Sequence, residues 1–173
     1  GAFTITGDNS ANGCTGAVRS GVLNVAGPVD QMLLLSTGSG TLNLLVDSVR
    51  KLSGSQQGII NLGEPFLNLT AGSVGITHVV TTNFDIGGFA AGVDHDFLSS
   101  GDVRFGGTLN ISYVNGFEAT QGDVFRIMEW TGDLELEFAS ANFPDKQPWV
   151  LYYDYAAGEL LAKVCPSGGE DCN

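Results

Sequence analysis

One short element recurs along this chain and constrains its fold more than any other feature. Leucine, asparagine and a large apolar residue follow one another at Leu23-Asn24-Val25, Leu42-Asn43-Leu44, Leu67-Asn68-Leu69 and Leu109-Asn110-Ile111. The asparagines are separated by roughly 20 residues, with the last interval about two such steps, in the range of repeats that stack into solenoids and arrays. A step of this size suits one coil of a parallel β-helix with about three short strands. In such a coil each strand lies on its equivalent in the next, so like residues fall in register and asparagine side chains can bond along the stack. The competing explanation is that these triplets are common in glycine-rich β sequences, which leaves a β-sandwich or jelly roll as the alternative fold.

The chain around these triplets supports an all-β class. AFTIT, GVLNVA, MLLLST, TLNLLV, GIINLG, FLNLTA, GITHVVTT and TLNISYV are short runs rich in Val, Ile, Leu, Thr or Phe, punctuated by Gly, Ser, Asn and Asp. Glycine contributes 25 residues and Lys plus Arg only 7, while 43% of the chain is hydrophobic without a long apolar run. That balance excludes both a disordered chain and long amphipathic helices. Residues 44–54 (LLVDSVRKLSG) alone read as a turn or two of helix, with Leu45, Val49 and Leu52 on one side and Gly54 as a stop. The alternative there is a strand followed by a loop.

Beyond Phe117 the pattern becomes longer and more aromatic. WVLYYDY and ELLAKV flank Ala156-Ala157-Gly158 as the arms of a hairpin. A terminal antiparallel segment is physically expected, because the last coil of a solenoid exposes apolar surface and unpaired strand edges. The chain therefore divides into coils over residues 1–116, a cap over 117–164 continuous with them, and a cysteine-bracketed tail over 165–173. Its 173 residues suffice for one domain, burying roughly 70% of the surface of the unfolded chain.

Residues 94–164 carry five elements in order: His95-Asp96-Phe97-Leu98, then Gly106-Gly107-Thr108-Leu109, then Asn115-Gly116-Phe117, a Gly122-to-Ile127 turn of the form Gly-Asp-x-Phe-x-Ile, and a Trp149-to-Tyr153 strand. In this the chain resembles the carboxy-terminal segment of secreted β-solenoid surface proteins, those of autotransporter passengers and of surface proteins with sorting signals. The resemblance implies a right-handed parallel β-helix closed by an antiparallel cap, acting outside the cell as an adhesin, surface layer or filament component. It implies no catalytic residues. The tail CPSGGEDCN is not part of that pattern, and neither a sorting tail nor a membrane barrel is visible.

The formal net charge of -12 and the scarcity of Lys and Arg exclude nucleic acid and anionic membrane surfaces as partners, since each phosphate contact needs a cation. No run approaches the ~20 apolar residues of a membrane span, and Gly1 in place of Met points to a removed leader. Of three cysteines, Cys165 and Cys172 bracket a short flexible loop and are the expected disulfide. A Cys14–Cys165 bridge is the alternative, and either pairing leaves one thiol over. No C-x-x-C spacing points to a metal or redox site.

Candidate chemistry is sparse. Asp94-His95-Asp96 could hold a metal or share a proton, but in a strand the two carboxylates face away from the imidazole, so a solvated turn before a strand is expected. His78 lies among β-branched residues, as a satisfied or outward ring. There is no G-x-S-x-G elbow. Asp47, Asp85, Asp94 and Asp96 would need to align across coils to act as a polysaccharide-degrading pair, with few basic residues to help; no enzyme activity and no cofactor are expected. Asp133, Glu135 and Glu137 alternate with Leu134, Leu136 and Phe138, the pattern of an amphipathic edge strand with an acidic outer face rather than a calcium site. Asn68 and Asn110 head glycosylation acceptor tripeptides.

These readings lead to an extracellular structural or adhesive protein whose main partner is itself, assembling through edges such as GAFTITG. A glycan-binding module is the alternative, with Trp130, Trp149, Tyr152, Tyr153 and Tyr155 as stacking faces.

Overall fold

A computed structural model describes residues 2–6, 21–26, 32–35, 40–45, 48–55, 58–63, 66–76, 79–166 and 172. Among the described residues there is no helix. The strands are β1 (Ala2–Thr6), β2 (Gly21–Ala26), β3 (Met32–Leu35), β4 (Gly40–Leu45), β5 (Ser48–Ser55), β6 (Gly58–Leu62), β7 (Asn68–Ile76), β8 (Val80–Ile86), β9 (Phe97–Arg104), β10 (Thr108–Tyr113), β11 (Val124–Trp130), β12 (Ser140–Asn142), β13 (Trp149–Asp154) and β14 (Glu159–Val164).

They form two seven-stranded sheets. The first runs β1-β2-β4-β6-β8-β10-β12 and the second β13-β14-β11-β9-β7-β5-β3. From β2 to β13 the chain visits the two sheets in turn, and each return from β4 to β12 lays a strand parallel to the one it left two steps earlier. Parallel neighbours cannot be joined by a tight hairpin; here the strand in the opposite sheet serves as the crossover. The parallel order ends in the second sheet, where β14 pairs antiparallel with both β11 and β13.

Period-two alternation builds the core. In β8, Val80, Thr82, Phe84 and Ile86 point inward while Thr81, Asn83 and Asp85 are more exposed. The pairing aligns Leu23, Leu42, Ile60, Thr82 and Leu109 into one inward column. Facing residues come from the second sheet, where Leu52, Val74 and Val103 share a register position, as do Leu69, Leu98 and Met128. All of these except Thr82 belong to one apolar cluster between the sheets. The Thr82 hydroxyl is buried there without a hydrogen-bond partner.

The described residues of 44–54, namely 44–45 and 48–54, are strand rather than helix. Leu44 closes the inward side of β4, Leu45 is 44% exposed, and β5 fills the space between β3 and β7. A helix of two turns is too short to stand alone, whereas an extended segment pairs the edges of two neighbours. GITHVVTT is not one strand either: β7 ends at Ile76 and β8 starts at Val80, so the chain changes sheet inside it. His78, Asp47 and Cys14 lie outside the described residues.

Residues 133–138 do not form the expected amphipathic strand. One bridge, Val103 to Leu134, and bonds from Val103 N to Asp133 O and from Glu135 N to Val103 O hold the segment beside β9. Leu136 is exposed rather than packed, while Phe138 stacks on Phe105 at 4.4 Å. The pull of those two large rings outweighs strict alternation in a segment that lacks a regular ladder.

Aromatic rings fill the end of the core beneath β13 and β14. Buried Phe125 stacks on Phe89 at 5.4 Å and on Trp149 at 6.0 Å, and Trp149 stacks on Phe143 at 5.3 Å. Asp145 fixes this arrangement by accepting from the Trp149 indole (2.9 Å), the Tyr113 hydroxyl (2.8 Å), and the Gln147 backbone (2.9 Å) and side-chain amide (2.8 Å). Partial burial alone would raise the Asp145 pKa, but these donors outweigh it and hold the carboxyl below its ordinary value.

Candidate functional site: the asparagine face of the first sheet

The recurring asparagines form a continuous ladder. Asn43 Nδ2 donates to Asn24 Oδ1 at 2.6 Å, Asn61 to Asn43 at 2.6 Å, Asn83 to Asn61 at 2.6 Å, Asn110 to Asn83 at 2.9 Å and Asn142 to Asn110 at 2.7 Å. Every amide points the same way, because parallel in-register strands repeat one geometry at each step. The sequence separations along the ladder are 19, 18, 22, 27 and 32 residues.

Asn68, the third of the recurring triplets, does not belong to this ladder. It opens β7 in the other sheet, exposed, with its side chain against Gly92. Asn61, Asn83 and Asn142 take the places that a search for leucine before asparagine misses. The inward position ahead of them is Ile60, Thr82 or Ala141, and any residue that fits the core serves there. The usable signal is an outward asparagine followed by an apolar residue, with no demand on the residue before it.

The first sheet's outer face is a regular array. Val22, Thr41, Ile59, Thr81, Thr108 and Ser140 form a row beside the asparagines, and Asp85 pairs with Ser112 on the other side. A groove of about 970 Å³ follows the six asparagines and is also lined by Leu45, Gly63, Asp85, Ser112 and Pro144. Gly107 immediately precedes β10 at a φ of 73°, and a side chain there would collide with the Val80 carbonyl oxygen. Its repetition of the Gly40 position is therefore a steric need of the turn as well as an echo.

Asp94-His95-Asp96 does lie at a turn before a strand, β9, but the triplet is not solvated as expected. His95 and Asp96 are fully buried. Asp96 accepts from Leu67 N at 2.7 Å through Oδ1 and from Asp85 N at 2.8 Å through Oδ2, tying the entrance of β7 to the end of β8. Burial pushes its pKa up to about 8, against the two N–H bonds that favour the carboxylate and with the Asp85 charge adding to the rise. The His95 ring nitrogens lie 3.1 Å from Gly88 O and 2.9 Å from Arg126 O, so the imidazole links the loop before it to β11. Asp94 accepts from Ala90 N at 3.2 Å within that same loop. The loop turns the three side chains toward separate backbone partners, which strand alternation could not foresee.

The remaining candidates separate as well. Asp102 accepts from Asp133 N, Glu135 pairs with Arg104 at 3.5 Å and Glu137 accepts from the Tyr155 hydroxyl. Among the described residues no group of three or more His, Cys, Asp or Glu side chains could hold a metal ion, and no helix is long and apolar enough to cross a membrane. The aromatics divide: Trp130 is buried, Trp149 stacks on Phe143, Lys163 Nζ sits 3.5 Å over the Tyr152 ring, and Tyr153 stacks at 6.4 Å on Tyr155, which is 63% exposed. Of the two glycosylation tripeptides, Asn68 is exposed, whereas Asn110 is bonded within the ladder on both sides. Cys165 and Cys172 form a disulfide with a Cα–Cα distance of 5.5 Å. No family model and no curated protein matches the chain.

Proposed function

We propose that this chain is a β-solenoid module, a right-handed parallel β-helix closed by the β11-β14-β13 segment, which serves outside the cell as a structural or adhesive surface protein. The observation that carries the proposal is the six-membered asparagine ladder on parallel strands that alternate between two sheets. A jelly roll would pair its strands antiparallel, and a parallel crossover is right-handed in nearly every known case. The resemblance of residues 94–164 to the ends of secreted β-solenoids favours the same reading. So does the Cys165–Cys172 bridge, which belongs to an oxidising compartment.

The module assembles end to end with further copies of itself. β1 and β3 lie at the outer edges of their sheets, opposite the antiparallel segment. Neither AFTIT nor MLLL contains a charge or proline, the residues with which proteins usually guard an edge. Negative-stain microscopy of concentrated protein should show filaments or rods of uniform width. Compact monomers at every concentration and pH would overturn the assembly reading.

A further inference from the structure

The groove on the asparagine face has the chemistry of a ligand site, and its ligand class can be read from three properties. The first is charge. Among the described outward residues of β2, β4, β6, β8, β10 and β12, Asp85 is the one charged side chain, although the chain holds 19 Asp plus Glu and 7 Lys plus Arg. The second sheet's outward positions, by contrast, include Lys51, Asp102, Arg104, Arg126 and Lys163. Among these described residues a polyanion finds no cation, and a polycation finds one carboxylate.

The second property is hydrogen-bonding capacity. A primary amide has two N–H donors and an oxygen with two lone pairs. The ladder uses one donor and one lone pair on each of Asn43, Asn61, Asn83 and Asn110. Each of these four keeps a donor and an acceptor beside the groove. A matching ligand must offer both kinds of group at every step, as hydroxyls do.

The third is period and length. Parallel strands lie ~4.8 Å apart, so the ladder repeats at that interval and its five steps extend about 24 Å. An extended peptide advances only ~3.3 Å per residue and seeks a sheet edge rather than a sheet face. An extended, β-1,4-linked pyranose chain advances by about one strand spacing per sugar. The groove, about 970 Å³ in volume, is long enough to hold several sugars.

We infer that the asparagine groove binds an extended, neutral, β-1,4-linked polysaccharide lying across the strands, one sugar per ladder step. This deepens the adhesive reading proposed above and rests on it. It also moves the contact surface from the aromatic residues of the chain's last third to the grooved outer face of the first sheet.

The test is retention of the purified protein on cellulose, chitin and an insoluble β-1,4-mannan, with calcium alginate as the anionic polymer. At least one neutral polymer should retain the protein and alginate should not. Ser112→Arg and Leu45→Arg, two exposed groove positions, should each weaken retention by about tenfold or more without lowering the unfolding midpoint, while Tyr155→Ala should leave it unchanged. The inference is overturned if no neutral polymer retains the protein or if alginate retains it equally. It is overturned too if the two groove variants bind like the parent, or if Tyr155→Ala abolishes binding. Microscopy of the same samples scores assembly independently, so filaments that fail to bind would refute the groove and leave the structural reading standing.

Discussion

Asp96 offers the sharpest test of how the fold is held, because its contribution should change sign with pH. In the folded protein the buried carboxyl titrates at about 8, against 3.8 for an ordinary one. Between those values the unfolded chain has released the proton and the folded chain has kept it. The unfolded state then binds fewer protons, so stability falls as pH rises through this window and levels off above it. At about 1.4 kcal/mol per pH unit the loss amounts to about 6 kcal/mol from this one group. Asp96→Asn cannot ionise, but its NH₂ would confront either Leu67 N or Asp85 N, the two donors that the carboxyl now serves. Leaving one buried N–H unpaired costs about 2 kcal/mol at every pH. The variant should therefore be the less stable protein at pH 4 to 5 and the more stable one at pH 9, the two curves crossing near roughly pH 5 to 6. Urea unfolding followed by tryptophan fluorescence across this range measures both curves, and comparing the two proteins cancels the general repulsion of an acidic chain. If Asp96→Asn were the less stable protein at all pH values, the two N–H bonds would be holding a stabilising carboxylate, and the reasoning from burial would be refuted.

Four further outcomes follow from particular contacts. Thr82→Val should raise stability by about 1 kcal/mol in denaturant titration, since it removes a buried hydroxyl without a partner from a column of Leu and Ile. Asn83→Ala breaks two ladder bonds and should cost about 2 kcal/mol, whereas Asn68→Ala, outside the ladder, should lie within about 0.5 kcal/mol of the parent. Asp145→Ala removes the acceptor of four hydrogen bonds and should cost about 2 kcal/mol at neutral pH, allowing for solvent screening. Because the folded Asp145 pKa is lowered, that difference should shrink as acid protonates the carboxylate. Gly107→Ala should lower the thermal midpoint markedly, as it demands both a positive φ and space occupied by the Val80 carbonyl.

Much of the local structure was legible because it depends on residues close together in the chain. Runs such as GVLNVA and TLNISYV alternate with period two, and the glycines beside them mark turns, so the all-β class and most strand positions follow from the order of residues alone. The Cys165–Cys172 loop is equally local, and its short span makes the pairing geometrically easy. Leu23-Asn24-Val25 and Leu42-Asn43-Leu44 announced the ladder because leucine happens to fill the inward position in both.

Only the tertiary structure decided which asparagines share a ladder, because that depends on which strand lies beside which. Asn61 and Asn83 qualify by register, while Asn68 carries the better-matching triplet and sits in the other sheet. The same holds for Asp96 and His95: an aspartate and a histidine in a polar triplet look solvated, but a loop folds them under β8 and β11, where backbone N–H and C=O groups from distant segments are their partners. Residues 48–54 became strand for a related reason, since the edges of β3 and β7 left a place for a strand and none for a short helix. Side-chain alternation is a property of the chain itself; register, burial of polar groups and the choice between helix and strand in an ambiguous segment are set by the neighbours the fold supplies.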